Sequence, residues 1–336
     1  MHLPASVDIR EVVLRDGLQL EDPVPTATKL AILEAVVATG VTRVEVTSFV
    51  SRRAVPALAD AEQLVAELGR WPDIHFSALV AGTGGAQRAV AAGMAHLEYV
   101  ISASDGHSRA NAGRDTAEAV AAVPEIAGLA HAAGGRCEAI IAVAWDCPFD
   151  GPTPVQRVVD IARQCLDLGA DQLCIGDTIG TAVPGRTAEL LDRVRSACPD
   201  ARVGAHFHNS RGAGLASVLA AVDAGVTQLD ASVGGLGGCP FAPGASGNIA
   251  TEEVVYLLED SGVATGLDLE AVLRAAAVVE KAVGHPLTSN LYRAGGRSRP
   301  RSHPAGDAVA AAPDTPAPAV RLAEQLRDVV RAATRR

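Results

Sequence analysis

Eight short runs of β-type residues recur along the chain, and helical stretches separate most of them. The runs are DIREVVLR (8–15), TRVEVTSF (42–49), IHFSAL (74–79), HLEYVIS (96–102), RCEAIIAVA (136–144), QLCIG (172–176), ARVGAHFH (201–208) and QLDASV (228–233). Among the intervening stretches, TKLAILEAVVATG (28–40) and PVQRVVDIARQCLDLGA (154–170) carry apolar residues at helical spacing, the first with Gly40 as a stop. Eight strands alternating with helices predict an α/β fold, the (β/α)8 TIM barrel. An open doubly wound sheet is the alternative. Its dinucleotide-binding version is weakened because no Gly-x-Gly-x-x-Gly turn follows the first run.

Composition agrees with a large aliphatic core. Of the 336 residues, 48% are hydrophobic and only 3% aromatic, so Ala, Val and Leu must fill the interior. The barrel is expected to stop near residue 260, with DLEAVLRAAAVVEKAVGH (268–285) as an added C-terminal helix. The expected organisation is a barrel domain with its appended helix over 1–296, a Pro/Ala-rich linker over 297–317 and a tail helix over 318–336. Leu322, Leu326 and Val329 share a face of that tail, which reads as a weakly docked helix or as a partner-binding element.

A formal charge of −10 argues against nucleic acid or an anionic membrane as the main partner. Six cysteines without a Cys-x-x-Cys pair suit a reducing compartment. The N-terminus shows no signal-peptide pattern, and no apolar run approaches the ~18 residues of a membrane span. A cytoplasmic setting is expected.

In a barrel enzyme the chemistry gathers at the C-terminal strand ends. Five runs end there in polar residues: LRDGLQ, EVTSF, ISASD, IGDTIG and HFHNS. His206 and His208 are the sharpest of these. Alternate strand residues share a face, so two imidazoles can converge on one cation. Asp16 is the natural anionic ligand, or else a turn residue beside Gly17. Arg15 and Asp16 can enter one site only if the strand has broken by Asp16. Asn248 offers a neutral oxygen, or caps the helix that follows. The glycine-dense stretch SVGGLGGCPFAPGASGN (232–248) suggests a mobile lid, with Cys239 either reactive or simply small and buried.

Taken together, RDGLQ (15–19), VEVTSFVS (44–51), SAS (102–104), CPFDG (147–151), GDTIG (176–180), HFH (206–208) and GGLGGCPFAPGASGN (234–248) resemble the 3-hydroxy-3-methylglutaryl-CoA lyases. These belong to a metal-dependent barrel superfamily that also holds isopropylmalate and homocitrate synthases. The resemblance runs from about Val7 to about Arg293 and is most specific in the glycine-rich loop. It implies a divalent cation on Asp16, His206, His208 and Asn248. It implies Arg15 at the substrate's thioester carbonyl and Cys239 as the catalytic thiol. Asp16 is one candidate base. Gln19, Glu45, Asp177 and Asn111 match substrate-side positions, and Glu11 is shared.

The donor set suits Mg²⁺ or Mn²⁺. The implied reaction is retro-Claisen cleavage of 3-hydroxy-3-methylglutaryl-CoA to acetyl-CoA and acetoacetate. An acyl-CoA substrate and a homodimer are the expected partners.

The chain departs from the family pattern at four places. Leu20 replaces an Asn, and Asp146 precedes Cys147 where Gly is usual. Asn209-Ser210-Arg211 replaces Asp-Thr-Tyr, and Arg109-Ala110 reduces a basic pair. Arg211 is expected either to read an altered carboxylate near the metal or to pair with a surface acid. Lysis of a related acyl-CoA such as citramalyl-CoA, condensation of acetyl-CoA with a keto acid, and a non-catalytic metal-binding barrel are the rival readings. The metal-dependent amidohydrolases also use His-x-His, but on their first strand.

Overall fold

Strands β1 (Asp8–Glu11), β2 (Arg43–Ser48), β3 (His75–Val80), β4 (Leu97–Ser102), β5 (Cys137–Ala142), β6 (Gln172–Asp177), β7 (Arg202–Phe207) and β8 (Gln228–Ala231) form a closed barrel in the computed structural model. The structure describes residues 1–238, 247–296 and 299–300. All eight strands run parallel in sequential order. β1 closes the ring on β8, with Ile9 opposite Leu229 and Arg10 opposite Asp230. Each strand falls within a residue or two of its predicted run except the first, which is four residues shorter than expected.

β1 stops because the chain coils. Val12 leaves the extended region at φ −117°, ψ 11°, and Val13–Gly17 wind into one π-helical turn. The Gly17 amide closes that turn on the Val12 carbonyl at 3.1 Å. Val13 and Leu14 read locally as strand, but both are buried in this turn. β5 also ends early, at Val143, a β-branched residue held at φ 51°. The Thr178 hydroxyl accepts from its amide at 2.8 Å, and the Thr153 hydroxyl donates to its carbonyl at 2.7 Å.

The apolar core lies between sheet and helices. Ile9, Val44, Val80, Tyr99, Ile141, Ile175, Phe207 and Leu229 face outward from the strands into it. The helix Leu269–Val283 matches its predicted span, capped by Asp268 and ended by Gly284 at φ 76°. The last helix of the barrel proper, Thr251–Asp260, ends where the barrel was expected to stop. The barrel interior, by contrast, is charged. Arg10 on β1 reaches Glu98 on β4 and Glu138 on β5, contacts possible only across the lumen. The expected linker and tail helix lie outside the described residues. Among the described residues no helix is long and apolar enough to cross a membrane.

Candidate metal centre and active site

The π-helical turn decides what the first strand delivers. A regular strand would send Arg15 and Asp16 to opposite faces. Coiled, the turn buries both at the barrel mouth, beside the end of β7. Short π segments often mark functional sites.

Asp16 meets both histidines. Its Oδ2 lies 3.5 Å from His208 Nε2 and 3.9 Å from His206 Nε2. These three are the one group of His, Cys, Asp or Glu side chains among the described residues whose donor atoms cluster as a metal site requires. Each imidazole is engaged on its far side. His208 Nδ1 donates to the Asp177 carbonyl at 2.9 Å, and His206 Nδ1 lies 3.1 Å from Asp230 Oδ2. A backbone carbonyl only accepts, so Nδ1 carries a proton and Nε2 is the nitrogen turned toward Asp16. That nitrogen is buried with no hydrogen-bond partner among the described residues.

Asn248 reaches the centre because residues 247–249 lie against the end of β7. The Asn209 amide donates to the Gly247 carbonyl, and His208 and Asn248 form an antiparallel bridge. Asn248 Nδ2 donates to Asp16 Oδ2 at 2.6 Å and to the Leu236 carbonyl at 3.1 Å, leaving its buried Oδ1 without a partner among the described residues. It does not cap the following helix, whose N-cap position is Ala250. Orphaned buried acceptors are rare and call for an unseen donor or ion. Two imidazole nitrogens, one carboxylate and one amide oxygen converging here fit a divalent cation.

Arg15 lies alongside. Its Nε pairs with Glu45 Oε1 at 2.6 Å and its Nη1 with Asp16 Oδ1. No hydrogen bond to a described residue uses Nη2. Burial would raise the Asp16 carboxyl, but the Arg15 guanidinium and the imidazoles outweigh it and hold it far below the usual carboxylate range. For Glu45 the balance reverses: burial dominates, Glu98 beside it adds, and its carboxyl rises well above the ordinary value despite Arg15.

A cavity of about 470 Å³ opens above the centre. Arg15, Asp16, Gln19, His206, His208 and Asn111 line it, with an apolar wall that includes Leu20, Val55, Leu79, Val100 and Ile140. Glu45 and Asp177 are buried outside that lining. Asp177 caps the loop after β6, accepting from the Thr181 and Ala182 amides at 2.9 and 3.0 Å. Gln19 steadies Asp16, donating to its Oδ1 at 2.7 Å and to the Gly238 carbonyl at 3.0 Å.

Arg211 forms no ion pair with an acid among the described residues. Its guanidinium is tied to the carbonyls of Ile179 and Gly180. Cys239 lies outside the described residues. Arg10 and Asp230, behind His206, were not anticipated. The available signal was a charge in each of two runs that had to line a closed barrel.

A parallel (β/α)8 barrel that gathers Asp16, His206 and His208 with a buried arginine at its mouth has the layout of a metal-assisted barrel enzyme. The model of the HMGL-like family matches residues 6–279, and the chain belongs to that family. It is 39% identical over 301 residues to the (R)-citramalyl-CoA lyase of Chloroflexus aurantiacus, covering 86% of this chain and 95% of that protein. It is 36% identical over 291 residues to the hydroxymethylglutaryl-CoA lyase YngG of Bacillus subtilis, covering 86% and 97%. Among solved structures, the HMG-CoA lyase of Acinetobacter baumannii in complex with coenzyme A and 3-methylmalate matches with a TM-score of 0.84 at 36% identity. That match covers 89% of this chain and 98% of the other. The chain is accordingly an enzyme of the lyase type.

Proposed function

We propose that this chain cleaves a 3-hydroxy-3-methyl dicarboxylic acyl-CoA by a retro-Claisen reaction, with 3-hydroxy-3-methylglutaryl-CoA as substrate. The carrying observation is the cluster of Asp16, His206 and His208 beside Arg15, with His208 Nε2 and Asn248 Oδ1 buried and without a hydrogen-bond partner among the described residues. Asp16, His206, His208 and Asn248 would hold Mg²⁺ or Mn²⁺. Bound there, the cation supplies charge that gathers substrate oxygens and acidifies the hydroxyl.

The residues supply the rest. The hydroxyl proton would pass to Asp16, to His206 or to a bound water. As the hydroxyl-bearing carbon becomes a carbonyl, its bond to the thioester α-carbon breaks. That electron pair passes into the thioester as an enolate. Arg15, fixed between Glu45 and Asp16, faces the enolate oxygen with its remaining N–H groups. A fixed donor at a developing charge favours the transition state over the ground state. The Cys239 thiol gives its proton to the α-carbon, and acetyl-CoA and acetoacetate leave. Gln19 holds Asp16 in place, and Asn111, which lines the cavity, would meet the acyl-CoA.

A second substrate is favoured by the 39% identity to a citramalyl-CoA lyase and by Leu20 in the cavity wall. Citramalyl-CoA is one methylene shorter and would yield pyruvate. A methylene is worth about 1–3 kcal/mol, or roughly 10–200-fold in kcat/KM. The deciding experiment measures kcat/KM for both acyl-CoAs with Mg²⁺ or Mn²⁺, and again in chelator. A faster glutaryl substrate supports the first reading and a faster citramalyl substrate the second. Turnover of neither, or full activity in chelator, refutes the mechanism.

A further inference from the structure

His206 is gripped from behind by a chain of buried charges. Its Nδ1 meets Asp230 Oδ2 at 3.1 Å. Asp230 is 5% exposed and takes both oxygens to Arg10: Nε to Oδ1 and Nη2 to Oδ2, each at 2.8 Å. Arg10 is braced in turn across the lumen, Nη1 on Glu98 at 2.6 Å and Nη2 on Glu138 at 2.8 Å. The two halves of the grip sit opposite each other in the β1–β8 ladder. An arginine–carboxylate fork is directional, so the Asp230 plane, and with it the ring of His206, has little freedom.

We infer that Asp230, held by Arg10, is a positioning residue for the metal centre: it fixes His206 as the Nδ1–H tautomer and turns the Nε2 lone pair toward Asp16. The inference rests on the cation site formed by Asp16, His206 and His208. The two histidines then share one rule with different acceptors, a backbone carbonyl behind His208 and a buried carboxylate behind His206. Partners of this kind typically account for about 10–100-fold in metal affinity.

Asp230→Asn isolates the effect. Asn has one acceptor oxygen where Asp230 uses two. If that oxygen serves His206, the amide nitrogen faces Arg10 Nε, donor against donor. If it is turned to Arg10, the nitrogen donates to His206 Nδ1 and forces the proton onto Nε2, toward the cation.

The test is Mn²⁺ titration of the full-length protein, followed by the electron paramagnetic resonance signal of free Mn²⁺. D230N is expected to bind about 10–100-fold more weakly than wild type, and D230E to recover most of the loss. In turnover, the Mn²⁺ needed for half-maximal rate should rise while kcat at saturating Mn²⁺ changes much less. A merely structural defect would instead lower the number of sites at unchanged affinity.

D230N affinity within twofold of wild type, with wild type binding, overturns this inference alone. A wild type that binds no Mn²⁺ overturns the cation reading and this inference with it. Should D230N fail to fold, ¹⁵N-histidine NMR of the metal-free wild type decides: Nδ1–H at His206 supports the inference, and Nε2–H overturns it.

Discussion

Gly17 closes the turn that carries Arg15 and Asp16, and its role is space. Its backbone, φ −55° and ψ −56°, is ordinary helical territory open to any residue. On backbone grounds Gly17→Ala should stabilise the protein by about 0.4–1 kcal/mol through the unfolded chain. The added Cβ, however, would lie 3.0 Å from Val13 Cγ2 and 3.1 Å from Ser232 Oγ. Both neighbours are fully buried and have no room to retreat. Overpacking of this kind costs about 1–3 kcal/mol, so the contact wins and the net change is a loss of about 1–2 kcal/mol.

The easiest relief is for the turn to lift off Val13 by a few tenths of an ångström. Arg15 and Asp16 ride on it. A misplacement of about 1 Å at reacting groups costs about 10²-fold, so a smaller one should lower kcat about tenfold. Urea unfolding followed by circular dichroism gives the stability, and initial rates at saturating Mn²⁺ and acyl-CoA give kcat. A variant more stable than wild type, with kcat within twofold, refutes the claim that close approach at Gly17 positions the site.

Arg15→Lys keeps a charge but loses the fork that meets Glu45, Asp16 and substrate together; kcat should fall by about 10²–10³-fold with little change in KM, and a loss under fivefold would remove Arg15 from transition-state stabilisation. Cys239→Ala should bind Mn²⁺ and acyl-CoA normally in calorimetry yet lose most turnover; near-normal turnover would strike the thiol from the mechanism. Burial raises Glu11 to about 8 and Glu252 to about 7, from an ordinary 4.5. The folded state therefore holds protons that the unfolded chain releases from about pH 4.5 upward, and stability should decline as pH rises from there to about 8. Glu11→Gln should flatten that slope in urea midpoints measured across the range, and an unchanged slope would refute the assignment to Glu11.

The barrel was legible because each strand is a short aliphatic run bounded by helix-forming sequence, a pattern local to ten or fifteen residues. The strand-end donors were legible for the same reason: His206 and His208 alternate on one run, and Asp16 follows another. The length of β1 was not. Val12, Val13 and Leu14 extend the β pattern, and only tertiary packing coils them into the turn. The contacts of Arg211 were not legible because they are to backbone carbonyls of a neighbouring loop, which leave no trace in residue type. Arg10 and Asp230 escaped notice because they lie 220 residues apart and meet only when the barrel closes.

The four proposed donors come from opposite ends of the barrel sequence: Asp16 just after the first strand, His206 and His208 from the seventh, Asn248 after the eighth. An ion held among them would straddle the seam where the ring shuts and act as a clasp on it. A ligand at a hundred times its dissociation constant adds about 2.7 kcal/mol to the folded state. During synthesis no complete binding site exists until nearly the whole barrel has been made, so loading would report closure. Once loaded, the β1–β8 seam would be the last place from which the barrel unzips.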